Sequence, residues 1–157
     1  NLKYGGINKG AHGEIKIIDC NNIFPDIKCN KAVVKSSNSS NFKHIQNECN
    51  ILKKLNHDNI VSFYGCEDNK KLYIEYSELG SLRDNIKKLN NRDKINIING
   101  LVSGLIYLHE NKIIHRDIKP ENIVLFKKDN IFYPKIIDFG ISNTKRIFSG
   151  TRSYMNN

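Results

Sequence analysis

The polar run His115-Arg116-Asp117-Ile118-Lys119-Pro120-Glu121-Asn122 is the part of the sequence best suited to chemistry. The apolar residues on either side, Ile113-Ile114 and Ile123-Val124-Leu125, favour burial, while Pro120 interrupts any helix through the run. The pattern therefore predicts a loop that is anchored at both ends by short buried strands. Catalytic side chains need such support, because small displacements of reacting groups lower the rate. A solvated surface turn, the alternative interpretation, leaves the two apolar anchors unexplained.

A second candidate motif, Asp138-Phe139-Gly140, follows the apolar pair Ile136-Ile137. By itself this motif is a weak signal, because turns after strands often have similar sequences. Together with Asp117 and Asn122 it offers two carboxylates and one amide. Oxygen atoms of these kinds bind Mg²⁺ when phosphate groups supply further ligands. The two motifs together indicate a magnesium site that works with phosphate groups.

Glu48 is a charged residue on the apolar stripe of a helix predicted over residues 42–55. It lies between Ile45 and Leu52 at helical spacing, so the three side chains share one face. Burying a carboxylate is costly unless a cation meets it. Lys35, which follows an apolar strand-like run, is the expected partner. In the alternative interpretation, Glu48 lies at the exposed edge of the stripe.

The elements that must position these residues change in kind near the middle of the chain. Before residue 76 the pattern predicts strands over residues 10–18, 27–34, 60–64 and 71–76, with one helix over 42–55. After Gly80 it predicts a short helix opening at Ser81, a longer helix over 93–110, and short strands at 113–114, 123–126 and 136–137. The longer helix has its apolar stripe on Ile98, Leu101, Val102, Leu105 and Leu108. This order of elements predicts an α+β fold with a β-rich first part and a mainly helical second part.

Taken together, these motifs resemble those of the eukaryotic protein kinases. His115-Arg116-Asp117, with Asn122, is similar to the catalytic loop of that family, and Asp138-Phe139-Gly140 is similar to its metal-binding motif. Ala32-Val33-Val34-Lys35 resembles the strand that carries the phosphate-binding lysine. The resemblance implies a two-lobe kinase-like fold. The N-lobe would cover residues 1–74, the hinge 75–80, and an incomplete C-lobe 81–157.

The resemblance also implies roles for individual residues. The catalytic residues would be Asp117, Lys119, Lys35 and Glu48, with Asp117 accepting the proton of the attacking hydroxyl and Lys119 steadying the γ-phosphate. Asn122 and Asp138 would hold the metal. The nucleotide would be bound by Asn8, Gly10, Gly13, Ile15, Ala32, Lys35, Ile74, Glu75, Ser77 and Val124. Asn8 stands where the family has its first glycine, so we expect weakened nucleotide binding.

The function that the resemblance implies is transfer of the γ-phosphate of ATP to a Ser or Thr hydroxyl of a protein substrate, with ATP and Mg²⁺ as cofactors. The run from Asp117 to Asn122 resembles the serine/threonine class, and residues 59–82 and 150–155 resemble kinases of the MAP-kinase cascade. Arg116 is typical of kinases whose activation segment is phosphorylated. We therefore expect an upstream activating kinase that modifies Ser149 or Thr144.

A second function is compatible with the same sequence: a truncated, non-catalytic kinase-like module that binds a nucleotide or a partner. Two departures from the family favour it. Asn8 replaces a glycine, and Asn156-Asn157 stand in the Ala and Pro places of an expected Ala-Pro-Glu motif whose Glu is absent. On this interpretation the later helices of the family are missing. The intact chemical residues favour the enzyme.

Composition and charge exclude several other classes. The chain of 157 residues carries a formal net charge of +9, but its lysines are scattered, which argues against a nucleic-acid partner. No apolar run approaches the roughly 18 residues of a membrane-spanning helix and no leader peptide is visible. We therefore expect no membrane association and a cytoplasmic protein, with the nucleus as the second candidate. The four cysteines lack metal-binding spacing, and we expect reduced thiols, with a Cys20–Cys29 pair across a hairpin as the alternative.

Overall fold

The computed structural model describes residues 8–10, 13–20, 23–24, 26–37 and 42–144, with only the backbone described for residues 8–10 and Thr144. The strands are β1 (Asn8–Gly10), β2 (Gly13–Asp19), β3 (Lys31–Ser36), β4 (Phe63–Glu67), β5 (Lys71–Glu75), β6 (Ile113–Ile114), β7 (Ile123–Lys128), β8 (Ile131–Ile136) and β9 (Asn143–Thr144). The helices are α1 (Phe42–Leu52), α2 (Leu82–Asn85) and α3 (Asn91–Glu110), and 3₁₀ turns cover Ile86–Lys88 and Pro120–Asn122. The predicted α+β fold class is confirmed.

The first part of the chain forms a five-stranded antiparallel sheet in the order β1-β2-β3-β5-β4. β3 is the middle strand, and Ala32, Val33, Val34 and Lys35 are all buried in it. A strand that is covered on both faces has no polar alternation, which is why this segment is a continuous apolar run that ends in a lysine. Helix α1 packs against β4 and β5.

Several boundaries in this part differ from the prediction. The strand predicted over residues 60–64 is β4, three residues farther along, and the strand predicted over residues 10–18 corresponds to the end of β1 and to β2. β3 begins at Lys31 rather than at residue 27, because a disulfide between Cys20 and Cys29 holds the preceding residues in a loop. α1 ends at Leu52 rather than at residue 55. The N–H of Leu55 donates to the carbonyl of Leu52, three residues back, so the chain tightens into a turn after the helix.

The expectation of reduced cysteines is wrong, because all four cysteines are paired. The antiparallel strands β2 and β3 bring the Cα atoms of Cys20 and Cys29 to 5.8 Å, and the packing of α1 on β4 brings those of Cys49 and Cys66 to 6.2 Å. Both separations are ones that a disulfide spans. The first pair is the hairpin alternative, whereas the second joins two elements whose contact no sequence spacing reveals.

Helix α3 begins at a reciprocal cap and packs closely on β8. The side chain of Asn90 accepts a hydrogen bond from the N–H of Asp93, and the Asp93 carboxylate accepts one from the N–H of Asn90. Farther along the helix, a Cβ atom at Gly100 would lie 2.6 Å from Cδ of Pro134. Only glycine therefore allows the helix to approach β8 this closely.

The apolar stripe predicted for α3 is only partly correct. Leu108 is buried as predicted, but Ile98 and Val102 are 57% and 49% exposed. The buried side is centred on Ile97 and Gly104 instead. Hydrophobic periodicity counts large apolar side chains, so it misses a helix face whose closest contacts are made by glycines.

One hydrophobic core cluster runs through both parts of the chain. Its members include Val33 and Ile74 of the sheet, Leu52 of α1, Leu108 of α3, and Phe139. Close packing makes such a core rigid, so side chains that project from it have well-defined positions. In the part of the chain that the structure describes, no helix combines the length and apolarity that spanning a bilayer requires.

Candidate active site

Lys35 of β3 and Glu48 of α1 form a buried ion pair between the sheet and the helix. Lys35 Nζ lies 2.9 Å from Glu48 Oε1 and 3.0 Å from Oε2, and the two side chains are 11% and 2% exposed. The other buried residues of α1, Ile45 and Leu52 among them, share this face. The predicted ion pair is confirmed, and the exposed-edge alternative for Glu48 is wrong. Each charge offsets the cost of burying the other.

The ion pair extends to the Asp138 motif. Glu48 Oε1 also accepts a hydrogen bond from the N–H of Phe139 at 3.1 Å, and Lys35 Nζ lies 3.9 Å from Asp138 Oδ1. Asp138 has a φ of 64°, a left-handed conformation that Asp adopts more readily than most residues. The N–H of Gly140 lies 3.4 Å from Asp138 Oδ1. Three residues that the sequence predicts to act together therefore meet in one cluster.

His115 connects this cluster to the polar loop. Its Nε2 lies 2.8 Å from the carbonyl oxygen of Ile137, and its Nδ1 accepts a hydrogen bond from the N–H of Asp117 at 3.1 Å. These partners suit a neutral imidazole that donates from Nε2. Burial lowers the pKa of His115, which favours the same neutral form. The ring also packs edge-on against Phe139, with 4.9 Å between centroids.

Asp117 is held by the residues that follow it in the loop. The amide nitrogen of Asn122 donates to Asp117 Oδ2 at 2.9 Å and to its backbone oxygen at 3.0 Å. Lys119 Nζ lies 3.3 Å from the same Oδ2. Pro120 begins a 3₁₀ turn rather than ending all helical structure, and this turn brings Asn122 back to Asp117. The side chain of Asp117 is 33% exposed, so its carboxylate is accessible from solvent.

Asn122 and Asp138 fit the oxygen chemistry of a magnesium site. The amide nitrogen of Asn122 is engaged by Asp117, so its oxygen is the atom that a cation would meet. The N–H of Ile137 donates to the backbone oxygen of Asn122 at 3.0 Å, which places Asp138 and Asn122 on adjacent stretches of backbone. One carboxylate and one amide leave most positions around Mg²⁺ to phosphate and water, as that ion prefers.

Several of the residues predicted to bind a nucleotide face one another across the sheet. In the antiparallel registers Ile15 pairs with Lys35, and Ala32 pairs with Glu75. Ile74, the residue before Glu75, is fully buried in the core. Because side chains alternate between the two faces of a sheet, Ile15 and Ile74 lie on the face that carries Lys35. Ala32 and Glu75 occupy the alternate positions, so their side chains lie on the other face, and the sheet does not place the Ala32 side chain beside Lys35 as predicted.

The connection between the two parts of the chain is tied to β7. The hydroxyl of Ser77 donates to the carbonyl of Leu125, and Ser81 forms a bridge with Val124. Ser77, Ser81 and Val124 are all buried. Ser77 and Val124, both predicted to bind the nucleotide, are thus brought near each other, because Ser77 contacts Leu125, the residue after Val124.

The described part of the predicted glycine-rich loop falls on β1 and β2. Asn8 pairs with Ile15, and Gly10 pairs with Gly13. Gly13 has a φ of 94°, a conformation that residues with a Cβ rarely adopt. Residues 11 and 12, and the side chain of Asn8, lie outside the described part of the chain.

A second ion pair, between the partly buried Glu75 and the buried Lys135, is absent from the sequence prediction. Lys135 Nζ lies 2.6 Å from Glu75 Oε2, which also accepts a hydrogen bond from the N–H of Ser62 at 3.2 Å. Glu75 contributes to the raised pKa of Tyr64, about 12, although burial of the phenol is the larger cause. The sequence did contain one sign of this pair: Lys135 stands directly before Ile136, at the buried end of β8. That position indicates a lysine in need of a counter-charge, but it does not indicate that Glu75 supplies it.

The predicted regulatory residues are only partly within the described chain. Arg116 is exposed in the polar loop, with a φ of 75°. Thr144 is described by its backbone in β9, and Ser149 and Asn156-Asn157 lie outside the described residues.

Known proteins share this sequence pattern over most of its length. The family described as protein kinase domain matches residues 7–157. The chain is 34% identical over 146 residues to NUAK family SNF1-like kinase 2 of Rattus norvegicus, which covers 89% of this chain and 21% of that protein. It is 35% identical over 152 residues to serine/threonine-protein kinase pakF of Dictyostelium discoideum, which covers 88% of this chain and 11% of that protein.

A plant relative extends the same likeness. The chain is 37% identical over 145 residues to the G-type lectin S-receptor-like serine/threonine-protein kinase SRK of Arabidopsis thaliana, covering 78% of this chain and 16% of that protein. The chain thus spans only a minor share, between 11% and 21%, of the length of these relatives. Since the family match runs through almost all of its residues, the chain belongs to the family of protein kinase domains.

Proposed function

We propose that this protein is an ATP-dependent serine/threonine protein kinase that transfers the γ-phosphate of ATP to a protein hydroxyl. The observation that carries the proposal is the cluster of Lys35, Glu48 and Asp138. In this cluster the Glu48 carboxylate binds both the buried Lys35 and the N–H of Phe139, the residue after Asp138. The serine/threonine class is supported by the names of the similar plant and Dictyostelium proteins. A protein substrate is proposed on the same basis.

The phosphate side of the proposed reaction depends on charge and position. Bound ATP with Mg²⁺ supplies the transferable phosphoryl group and neutralises part of its charge. Lys35, held by Glu48, would present a fixed ammonium group to the phosphates. Asn122 and Asp138 would hold the metal with their side-chain oxygens. Preorganised charges of this kind stabilise a transition state without having to move during the reaction.

The hydroxyl side of the reaction depends on Asp117. Its Oδ2 atom is engaged by Asn122 and Lys119, so Oδ1 would be the atom that meets a substrate hydroxyl. The carboxylate would align that hydroxyl and accept its proton. Lys119 is close enough to Asp117 to steady negative charge at the same place. His115 also fixes the backbone of the loop, because its Nδ1 accepts a hydrogen bond from the N–H of Asp117.

The test is phosphate transfer by the complete gene product that contains this chain, measured with radiolabelled ATP and a Ser/Thr peptide library. Asp117→Asn should reduce the rate by about a hundredfold or more, because the proton acceptor is lost. Asp129→Asn is the matched control, since Asp129 lies in the exposed turn between β7 and β8. Equal rates for wild type and Asp117→Asn would contradict the role of Asp117.

The second candidate function is a non-catalytic module that binds a nucleotide or a partner. The replacement of the first glycine by Asn8 favours it. Binding of ATP by the wild-type protein, without phosphate transfer to any substrate or to itself, would support this function and contradict the kinase proposal.

A further inference from the structure

Asn47 directly precedes Glu48 on α1, and its side chain reaches the residues that follow Asp138. Its Nδ2 lies 2.8 Å from the carbonyl oxygen of Ser142, 3.0 Å from that of Gly140 and 3.3 Å from that of Phe139. An amide NH₂ group has two hydrogens, so two strong bonds and one shared, weaker contact are expected. The partners are more than 90 residues away in the sequence.

These carbonyl groups belong to a compact turn that other bonds also hold. The N–H of Ser142 donates to the carbonyl of Phe139 at 3.1 Å, and the Ser142 hydroxyl donates to the carbonyl of His115 at 2.9 Å. Ser142 is buried. Asn47 therefore supplies donors to carbonyl groups that have limited access to water, where an unmet acceptor is costly.

Asn47 and Glu48 hold the same short segment through opposite kinds of bond. Glu48 accepts the N–H of Phe139, while Asn47 donates to the carbonyl groups of Phe139, Gly140 and Ser142. Since Glu48 also binds Lys35, the placement of α1 and the placement of this segment depend on each other. Asn is a weak helix former, so intrinsic helix propensity does not favour it at this position.

We propose that Asn47 is a positioning residue that fixes Asp138 through the segment from Phe139 to Ser142. The inference rests on the proposed function, because it takes Asp138 to bind the metal that accompanies ATP. Asn47 itself touches neither metal nor nucleotide in this proposal.

Asn47→Asp tests the proposal sharply. The change keeps the shape of the side chain, removes both N–H donors and turns a negative charge toward three carbonyl groups. Asn50→Asp is the matched control, because Asn50 is on the exposed side of the same helix and its oxygen accepts a hydrogen bond from Lys53. Both variants are made in the complete gene product.

The first measurement is backbone hydrogen exchange without nucleotide. The amides of Phe139 and Ser142 should exchange about tenfold faster in Asn47→Asp than in wild type, and at the wild-type rate in Asn50→Asp. Unchanged exchange at these two amides in Asn47→Asp would overturn the proposal. If Asn47→Asp fails to fold, Asn47→Ala, which removes the donors without adding charge, is judged by the same criterion.

The second measurement is ATP affinity by calorimetry, with and without Mg²⁺. Asn47→Asp should reduce the gain in affinity that Mg²⁺ provides by about tenfold and leave the affinity without Mg²⁺ unchanged. A general structural defect would lower both affinities together, and that result would overturn the positioning role. Wild-type protein that binds no ATP would contradict the proposed kinase function instead, while the exchange measurement would still decide whether Asn47 holds the segment.

Discussion

The carboxylate of Glu48 accepts hydrogen bonds from the Lys35 ammonium and from the N–H of Phe139 while almost completely shielded from water. Lys35 in turn lies 3.9 Å from Asp138. The Glu48 carboxylate therefore links β3, α1 and the Asp138-Phe139-Gly140 motif. Because both charges are buried, removing one leaves the other without adequate compensation.

We predict that Glu48→Gln lowers the free energy of unfolding by about 3 kcal/mol, because Lys35 then remains buried without its main counter-charge. Denaturant unfolding of the complete gene product measures the change. Glu67→Gln is the control, since the Glu67–Lys71 pair is exposed and its loss should leave the denaturation midpoint unchanged. A similar effect of the two substitutions would contradict the view that burial makes the first pair important.

His115 makes stability depend on pH. Burial lowers its pKa in the folded protein, whereas in the unfolded chain the value is about 6.5. As pH falls below about 6.5, the unfolded chain takes up a proton that the folded chain does not, so the free energy of unfolding decreases. Protonation would also remove the Nδ1 acceptor that holds the N–H of Asp117.

We predict that the free energy of unfolding falls less steeply between about pH 7 and about pH 5.5 in His115→Asn than in wild type, because Asn does not titrate. Denaturant unfolding at several pH values measures the slope. His109→Asn, at an exposed position near the end of α3, should keep the wild-type slope. The same slope in His115→Asn and wild type would show that another group causes the acid sensitivity.

At the scale of elements, α1 is the helix on which the site depends. It is joined to β4 by the Cys49–Cys66 disulfide, to β3 by the Lys35–Glu48 pair and to the segment after Asp138 by Asn47. Its displacement would therefore disturb all three contacts together. The elements on the other side of the site are held by the packing of α3 on β8.

The substitution Gly100→Ala tests the packing of α3 on β8, because two opposing effects predict opposite signs for the change in the free energy of unfolding. Helix propensity alone predicts that Gly100→Ala stabilises the protein by about 1 kcal/mol. The added methyl group would meet the Pro134 ring at 2.6 Å, so we predict instead a loss of about 1 to 2 kcal/mol in the free energy of unfolding. Asn99→Ala, at an exposed neighbouring position, should not destabilise the protein. Denaturant unfolding measures both, and a stabilised Gly100→Ala would contradict the described approach of α3 to β8.

At the scale of the whole molecule, the proposed chemistry draws on residues from both parts of the chain. Lys35 and Glu48 come from the sheet and its helix, whereas Asp117, Asn122 and Asp138 come from the second part. The shared core, which includes Leu52 and Phe139, keeps the two sets in a defined relation. The candidate active site and the core therefore share residues such as Phe139. A core substitution near Phe139 would change both the packing of the core and the positions of the site residues.

The sequence by itself determined the candidate residues and the Lys35–Glu48 pair. Motif spacing is local, and a carboxylate on an apolar helix face has few ways to be neutralised. The helix starts at Ser81 and near Asp93 were also readable, because caps depend on neighbouring residues.

Only the tertiary structure decided the Asn47 contacts, the Glu75–Lys135 pair, the Cys49–Cys66 disulfide and the buried glycine face of α3. The first three join residues 95, 60 and 17 positions apart. Their partners are chosen by how elements pack, and the side chains alone are compatible with many partners. The glycine face escapes prediction for a related reason: a missing side chain has no hydrophobic signal, although it permits the closest contact.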